Sequence, residues 1–475
     1  MPDEVHEGKI PRSDPLRMER TRWLDGLRGL AAGIVAFDHL FMDNIWFPFV
    51  SFWTNPPEAN RSLVQLPPIR ILFSAHAMVT LFMVISGYAI SVNLIKDPKS
   101  PNLLARISSA IVRRGFRIYL PMLVTAGIAQ LFYFLNVYHW EFDEALVAEL
   151  PRPLSAPWAH VKYLLNYMAQ NINIVAFEPP GGLNGQLWTM PLEFRGSNVV
   201  YLLITGLSTW RMKLKLYVLP VIGGFFIWYG NWDTFGFIWG LWLAQRAVSA
   251  TANSGEQSNA ELEMAEFDGS HNSTVAFPGT LGHFGPGRRF GRIRMKNKKL
   301  ILSRLAKALT FVLGYYLLCL GSDGILPPGY QFLSALHPSR WKDKWHIYHW
   351  CWKSIGSAML VYAIGEFPTL QRPLTTRPVQ YLGKISFALY LLHETIYQLW
   401  RNPFRNFVYL ILSGSQYENS GQASGADPFA FYLTWYITGA VLGVVTIVAA
   451  HYYTIHVDNR CVALAKRVDR WLSFR

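Results

Sequence analysis

Residues 22–42 read RWLDGLRGLAAGIVAFDHLFM, and this stretch decides the fold. From Leu27 onward it is apolar enough to enter a bilayer, yet it contains Arg28, Asp38 and His39. A charge in the middle of a spanning helix costs about 2.5–3.5 kcal/mol on insertion scales, so such residues normally face the protein interior or a water-filled path and mark function. The stretch therefore predicts a transmembrane helix that carries chemistry.

The rest of the sequence has the same apolar character. Of 475 residues, 51% are hydrophobic and only 16% are charged, which is too apolar for a typical soluble protein. Because ten apolar stretches could each cross about 30 Å of hydrocarbon, we predict an all-α, polytopic membrane protein with about ten transmembrane helices. The fifth and sixth stretches are short and form either a tight helical hairpin or a partly re-entrant pair. The stretches cover residues 24–46, 70–95, 117–137, 186–208, 214–230, 232–248, 303–322, 346–367, 380–400 and 429–451.

The formal net charge of +14 is distributed unevenly along the chain. Lys and Arg concentrate before the first stretch, after each even-numbered stretch and in the tail, which predicts that both termini are cytoplasmic. Topology thus accounts for the excess charge, and no nucleic acid partner is expected. The predicted units are a cytoplasmic N-terminal segment at 1–23, a transmembrane domain at 24–451 in contact with the lipid bilayer, and a cytoplasmic tail at 452–475. Within the domain, residues 249–300 are polar and then basic, which predicts a disordered cytoplasmic loop.

Three smaller features complete this description. Residues 60–62 form a glycosylation sequon on the predicted outer side, and residues 272–274 form one on the inner side that should stay unmodified. The cysteines at positions 319, 351 and 461 lie far apart and are interpreted as packing residues. No cleavable signal peptide is expected, because the first apolar stretch is long enough to span the membrane.

Four polar residues in and directly after the stretch 22–42 share one helix face. On an α-helix, positions 25, 28, 32, 35, 39 and 43 lie within an arc of about 80°, so Asp25, Arg28, His39 and Asp43 form one stripe. Arg28 and His39 are almost three turns apart, about 16 Å along the axis, and one cavity could contact both. Spacing alone also fits a second interpretation, in which Arg28 and Asp25 anchor the helix at the headgroups and His39 is a hydrogen-bonded core histidine.

Five stretches carry a resemblance to a known family: RWLDGLRGLAAGIVAFDHL (22–40), LFMVISGYAIS (81–91), RRGFRIYLP (113–121), QLWTMPLEFRGSNVVYLL (186–203) and LGKISFALYLLHETI (382–396). In this order they resemble the acyltransferase-3 family of integral membrane acyltransferases, most closely its fungal-type members. The family signature is an Arg and a His eleven residues apart in the first helix, which Arg28 and His39 match. The resemblance implies transfer of an acyl group, commonly acetyl from acetyl-CoA, to a hydroxyl of a sugar, glycan, lipid or small molecule. It implies acyl-CoA as co-substrate, without a tightly bound cofactor or a metal.

Acyl transfer from a thioester to an alcohol needs a base, a site for the oxyanion and contacts to the anionic donor. His39 is the predicted general base, because imidazole changes its charge near neutral pH. Asp43, one turn further on, is better placed to orient this ring than the adjacent Asp38. Arg28 is predicted to hold the donor or to stabilise developing charge.

The fourth family stretch supplies a carboxylate, Glu193, on the same helix face as Ser197. Glu193 is predicted either to orient His39 or to bind the acceptor's hydroxyls. The alternative is an intramembrane ion pair with Arg195 or with an arginine of another helix. The residues assigned to an acceptor pocket are Ser86, Tyr88, Ser197, Tyr390 and His393, although close helix packing and a satisfied core histidine explain some of them equally well.

A basic cluster lies at the predicted inner end of the third helix. Arg113, Arg114 and Arg117 are predicted to bind the donor's phosphates, since a guanidinium donates two hydrogen bonds at once. Ordinary anchoring of a helix end at the cytoplasmic surface is the alternative. Leu120 and Gly115 depart from the family pattern here, but neither removes a charge.

A rival from another functional class is a proton-coupled transporter, in which Arg28, His39 and Glu193 act as a relay. The absence of a repeated half and of paired broken helices in the sequence argues against it. An inactive scaffold with the same fold is a third interpretation. Acyl transfer is the function that the sequence favours.

Overall fold

The structure is a computed structural model that describes residues 21–42, 44, 45, 47–97, 100–175, 182–269, 287–321, 324, 326–341 and 344–473. Within them, the side chains at positions 68, 252–300 and 345 are not described. Asp43, residues 272–274 of the second sequon and residues 1–20 of the predicted N-terminal segment lie outside the described part. Every regular element of the described residues is helical, which confirms the predicted all-α fold.

Each of the ten apolar stretches overlaps one long helix. In chain order these are α1 (Arg22–Phe41), α2 (Ala75–Ser91), α3 (Leu103–Phe134), α4 (Thr189–Gly206), α5 (Met212–Trp228), α6 (Trp232–Gly269), α7 (Gly287–Leu318), α8 (Trp345–Glu366), α9 (Arg377–Ser413) and α10 (Pro428–Tyr453). A short π-helix, Thr454–Asp458, leads into α11 (Asn459–Leu472). The fifth and sixth stretches form a helical hairpin, whose turn contains Gly230 with a φ of +85°, a conformation that favours glycine.

Shorter helices cover the ends of the bundle. The α-helical ones are Pro67–Arg70, Glu144–Glu149, Pro157–Ile172, Pro368–Gln371 and Ser420–Ala426. The 3-10 segments are Phe47–Phe49, Leu63–Gln65, Ile71–Phe73, Gly185–Trp188, Pro328–Ala335, Ser339–Trp341 and Pro373–Thr375. The segment Gly185–Trp188 leads directly into α4 and therefore lies next to the predicted site.

Three helical segments of the described chain are long and apolar enough to cross a membrane on their own composition: Leu103–Phe134, Ile301–Leu318 and Pro428–Leu472. The shorter Ala75–Ser91 is also apolar. A total of ten spans stays a prediction.

Glycines set the closest helix contacts. A Cβ built at Gly29 of α1 would lie 2.7 Å from the carbonyl carbon of Leu382, so α1 and α9 cross backbone against backbone. A Cβ at Gly87 of α2 would similarly lie 2.8 Å from the main chain of Phe237 on α6. Small residues allow this approach between membrane helices. The result is a core in which α1 lies between α9 and α2.

The predicted disordered loop at 249–300 is partly helical. The backbone of α6 continues to Gly269 and that of α7 begins at Gly287, while residues 270–286 lie outside the described part. The helical backbone therefore extends beyond both apolar stretches that flank this loop.

Asn60, the asparagine of the sequon at residues 60–62, is buried in this fold. Asn60 is 5% exposed, and its amide nitrogen donates hydrogen bonds to the carbonyl oxygens of Thr54 and Pro56. Its side-chain oxygen accepts from Gln65. A glycan on this nitrogen would disturb the two hydrogen bonds that it donates inside a packed loop, so Asn60 is inaccessible as an acceptor once this loop has folded.

Candidate active site

Arg28 lies in the second turn of α1, on the face that contacts α9. Its guanidinium donates from Nε to Oγ of Ser386 (3.0 Å) and from Nη2 to the carbonyl oxygen of Gly383 (3.1 Å). Asp25 is an ion-pair partner at 3.4 Å, but its side chain is 57% exposed, and such exposed pairs contribute little. Contacts with α9 therefore fix the orientation of Arg28, and part of its side chain stays accessible.

A cavity of about 210 Å³ opens beside Arg28, between α1, α2, α3, α4 and α9. Val, Ile, Met and Phe side chains make up eight of its 17 lining residues. We call it the arginine cavity. Six residues that the sequence nominated line it: Arg28, Ser86, Arg114, Arg117, Glu193 and Tyr390.

Glu193 forms an ion pair inside this cavity. Its Oε2 accepts from Nη2 of Arg114 at 2.5 Å and its Oε1 from Oγ of Ser86 at 3.0 Å. Arg114 also donates from Nε to Oγ of Ser197. Arg195 instead pairs with Asp233 at 2.7 Å. Both oxygens of Glu193 are thus engaged away from the imidazole of His39, and the structure places this carboxylate as the counter-charge of an arginine on α3.

The three arginines of the basic cluster have different environments. Arg113 pairs with Asp469 at 3.7 Å and lies outside the lining of the arginine cavity. Arg114 is neutralised by Glu193. Arg117 lines the cavity with an exposed side chain, and no described side chain forms a hydrogen bond or salt bridge with it. Of the three, Arg117 is therefore best placed to receive an anion.

Two histidines meet near the other end of α1. Nδ1 of His39 lies 3.0 Å from Nε2 of His393, and the two ring planes are inclined by only 23° with their centroids 5.0 Å apart. Nδ1 of His393 lies 3.2 Å from the carbonyl oxygen of Leu389. A carbonyl oxygen only accepts, so this network assigns a proton to Nδ1 of His393 and leaves its Nε2 as an acceptor.

The tautomer of His39 follows from that assignment. Its Nδ1 must carry a proton in order to donate to His393, which leaves the lone pair on Nε2 of His39 available. His393 is fully buried, whereas the ring of His39 is partly accessible. The two imidazoles are therefore not equivalent: His393 is enclosed and accepts from His39, whereas His39 keeps a partly accessible side chain.

Tyr390 connects the imidazole pair to the arginine cavity. Its ring lines the cavity and lies 5.9 Å from the ring of His393. Its hydroxyl is held between Oγ1 of Thr189 (2.8 Å) and the carbonyl oxygen of Gln186 (2.9 Å). Neither His39 nor His393 lines the cavity itself. Tyr390 therefore lies between the arginine cavity and the imidazole pair.

Two further residues assigned to the acceptor pocket lie elsewhere. Tyr88 packs between two hydrophobic clusters of the bundle core, away from the cavity lining. Ser197 is completely buried and donates to the carbonyl oxygen of Glu193. Both residues support the walls of the cavity and do not face it.

Hydrogen bonds join the segment Gly185–Trp188 to α9, and the sequence did not predict them. The backbone N–H of Gln186 donates to Oε2 of Glu394 (3.0 Å), and its side chain donates to the carbonyl oxygen of Leu391 (2.9 Å). Glu394 directly follows His393, so this connection fixes the helix turn that carries the imidazole of His393. An ionisable residue inside the apolar stretch 380–400 was the available signal.

The fold and site are those of a membrane-embedded protein, in which long apolar helices enclose a pair of hydrogen-bonded imidazoles and an arginine-lined cavity. Comparison makes this specific: residues 21–453 match the acyltransferase domain model, and the chain belongs to the acyltransferase-3 family. It is an acyltransferase and a multi-pass integral membrane protein.

Three fungal proteins are similar over most of their lengths. The O-acetyltransferase PaAT-1 of Phomopsis amygdali is 27% identical, over 94% of this chain and 84% of that protein. The acyltransferase clz18 of Cochliobolus lunatus is 22% identical over 81% and 83%, and the acyltransferase R4 of a Phoma species is 23% identical over 78% and 82%. No solved structure matches the chain.

Proposed function

We propose that this protein is an O-acyltransferase that moves an acetyl group from acetyl-CoA to a hydroxyl of a sugar, glycan, lipid or small molecule. Membership of the acyltransferase-3 family supports the reaction class, and the name of the similar O-acetyltransferase PaAT-1 supports acetyl as the transferred group. Both termini are cytoplasmic in this proposal, so the beginning of α1 faces the cytosol, where acetyl-CoA is present.

The donor enters at the arginine cavity. Its phosphates contact Arg28 and Arg117, whose guanidinium groups are accessible there, while Glu193 keeps Arg114 neutralised and in place. The apolar wall suits the flexible pantetheine arm. Arg28 and His39 are about 16 Å apart along α1, so a long arm is needed to bring the thioester to the base.

In the reaction, Nε2 of His39 accepts the proton of the acceptor's hydroxyl as the oxygen attacks the thioester carbon. The new C–O bond forms, the tetrahedral intermediate collapses and the C–S bond breaks. The leaving thiolate of Coenzyme A takes the proton back from the imidazolium, so the ester and the free thiol leave and the base is restored.

The observation that carries this proposal is the hydrogen-bond chain from Nδ1 of His39 to Nε2 of His393 and from Nδ1 of His393 to the carbonyl oxygen of Leu389. It presents a lone pair on Nε2 of His39. Positioned bases of this kind contribute about 10²–10⁴-fold to a rate.

The test uses the full chain in lipid nanodiscs with acetyl-labelled acetyl-CoA and a panel of alcohols and glycosides. We expect His39→Ala to abolish ester formation while the Kd for Coenzyme A stays within about threefold, since the base contacts the thioester and not the phosphates. His346→Ala, at an exposed position of α8, is the matched control and should retain activity. Normal ester formation by His39→Ala would refute the proposal, and movement of an unmodified solute without any ester would favour the transporter.

A further inference from the structure

A second, polar cavity of about 430 Å³ lies at the end of α1 opposite the arginine cavity. Its floor is formed in part by Arg401, whose Nη1 donates to the carbonyl oxygens of His39 (3.2 Å) and Leu40 (3.3 Å). The cavity therefore rests on the last turn of the helix that carries the proposed base. The residues used below are Trp140, Glu141, Arg401, Asn402, Arg405 and Glu418, and we call this cavity the Arg405 pocket.

We propose that the Arg405 pocket binds the acceptor, and that the acceptor is a neutral polyhydroxylated molecule of the sugar type. The inference rests on the proposed function, because it assigns a substrate to that reaction. It is carried by the position of the pocket, the rigidity of its walls and the balance of its charges.

The walls of the pocket are built from stacked side chains. The guanidinium of Arg401 lies 4.1 Å from the ring centroid of Trp140, and that of Arg405 lies 4.0 Å from that of Tyr417. Arg405 also donates from Nη1 to the side-chain oxygen of Asn44 at 2.8 Å. Both arginines are less than 10% exposed. Cation–π contacts and hydrogen bonds of buried groups fix these side chains before a ligand arrives.

The charges in the pocket indicate a neutral ligand. Two arginines and the two exposed carboxylates of Glu141 and Glu418 line it, so their formal charges cancel. The carboxylates accept hydrogen bonds, whereas the side-chain amide of Asn402 can both donate and accept. Hydroxyl groups match such a surface because each can donate and accept. Trp140, which Arg401 holds in place by its cation–π contact, adds aromatic surface to the lining.

The position of the pocket indicates the acceptor and not the donor. The arginine cavity lies at the beginning of α1 and has accessible cations suited to phosphate. The Arg405 pocket lies beyond the last turn of α1 and offers no net charge. Two substrates that approach His39 from opposite ends of one helix meet without competing for space. The volume is within the usual range of small-ligand sites, roughly 300–1,000 Å³.

The test measures acetyl transfer from acetyl-CoA to methyl glycosides of glucose, galactose and mannose, with 2-phenylethanol as an apolar acceptor, by the chain in nanodiscs. Glu418→Gln and Trp140→Ala should raise the KM for an accepted glycoside more than tenfold and leave the KM for acetyl-CoA within twofold. Trp158→Ala, a 71% exposed tryptophan outside the pocket, is the control. A glycoside KM that stays unchanged in both variants, or transfer to 2-phenylethanol alone, would overturn the assignment.

Saturation-transfer NMR of the same methyl glycosides separates this inference from the proposed reaction, since it detects binding without turnover. Binding that Glu418→Gln abolishes supports the pocket even if the protein forms no ester, in which case the proposed function alone fails. If the protein forms esters from the glycosides and Glu418→Gln leaves their binding signal intact, the assignment of the acceptor to this pocket is wrong and the proposed reaction stands.

Discussion

The imidazoles of His39 and His393 share a hydrogen bond, Nδ1 to Nε2 at 3.0 Å, although the two residues are 354 positions apart in the chain. The bond joins α1 to α9, the same pair of helices that Gly29 and Gly383 bring into backbone contact. Packing of two helices therefore sets the tautomer of the proposed base. The helix contact at Gly29 and the hydrogen bond that places a proton on Nδ1 of His39 can be tested separately.

Replacement of the positioning histidine should reduce turnover without weakening donor binding. In His393→Ala the imidazole of His39 loses its acceptor, both tautomers become available and the ring can rotate, so kcat should fall on the order of 10²-fold. His393→Gln keeps an amide oxygen that can accept from Nδ1 and should restore part of kcat. Steady-state kinetics with acetyl-CoA measures this, and an equal loss in the Ala and Gln variants would indicate a packing role only.

The helix positions were predictable because hydropathy is a local property. Each of the ten apolar stretches overlaps a helix, and the stripe of Arg28 and His39 follows from helical periodicity alone. The partners of these residues were not predictable, because they come from distant parts of the chain. Glu193 is an example: its ion pair with an arginine of another helix was one open alternative, but nothing in the sequence selects Arg114.

Two arginines of the basic cluster should differ in how much their replacement raises the Kd for Coenzyme A. Arg117→Gln removes an accessible guanidinium from the cavity and should raise the Kd for Coenzyme A about tenfold, since one charge-assisted contact to phosphate contributes about 1.5 kcal/mol or more. Arg113→Gln changes a residue that pairs with Asp469 outside the cavity lining and should stay within about threefold. Calorimetry in nanodiscs at two salt concentrations provides the measurement. The reverse order of the two variants would exclude the assigned donor site.

Glu193 should stabilise the protein by neutralising its ion-pair partner, Arg114. Glu193→Leu leaves the mostly buried Arg114 without its counter-charge and should lower the free energy of unfolding by about 3–5 kcal/mol, whereas the double variant with Arg114→Leu should recover much of the loss. Glu366→Gln, in two more exposed pairs with Arg246 and Lys307, should cost about 2 kcal/mol or less, since each exposed pair contributes at most about 1 kcal/mol. Thermal unfolding in detergent gives the comparison. If the loss of unfolding free energy in the double variant equals the sum of the losses in the two single variants, Glu193 and Arg114 are not coupled.

The crossing of α1 and α9 can be tested on one helix with two glycines. A methyl group at Gly29 would meet the backbone of Leu382 and Gly383, so Gly29→Ala should separate the helices and destabilise the protein by about 1–3 kcal/mol. Gly33→Ala adds a methyl where no atom lies within 4 Å and should be neutral or stabilising by up to about 1 kcal/mol, because alanine favours a helix. Separation at Gly29 should also lengthen the contact between His39 and His393, so both kcat and stability should fall in Gly29→Ala. Neither should fall in Gly33→Ala. Unfolding curves and acetyl transfer measured on the same preparations decide the point: a fully active Gly29→Ala would show that the imidazole pair does not depend on this crossing.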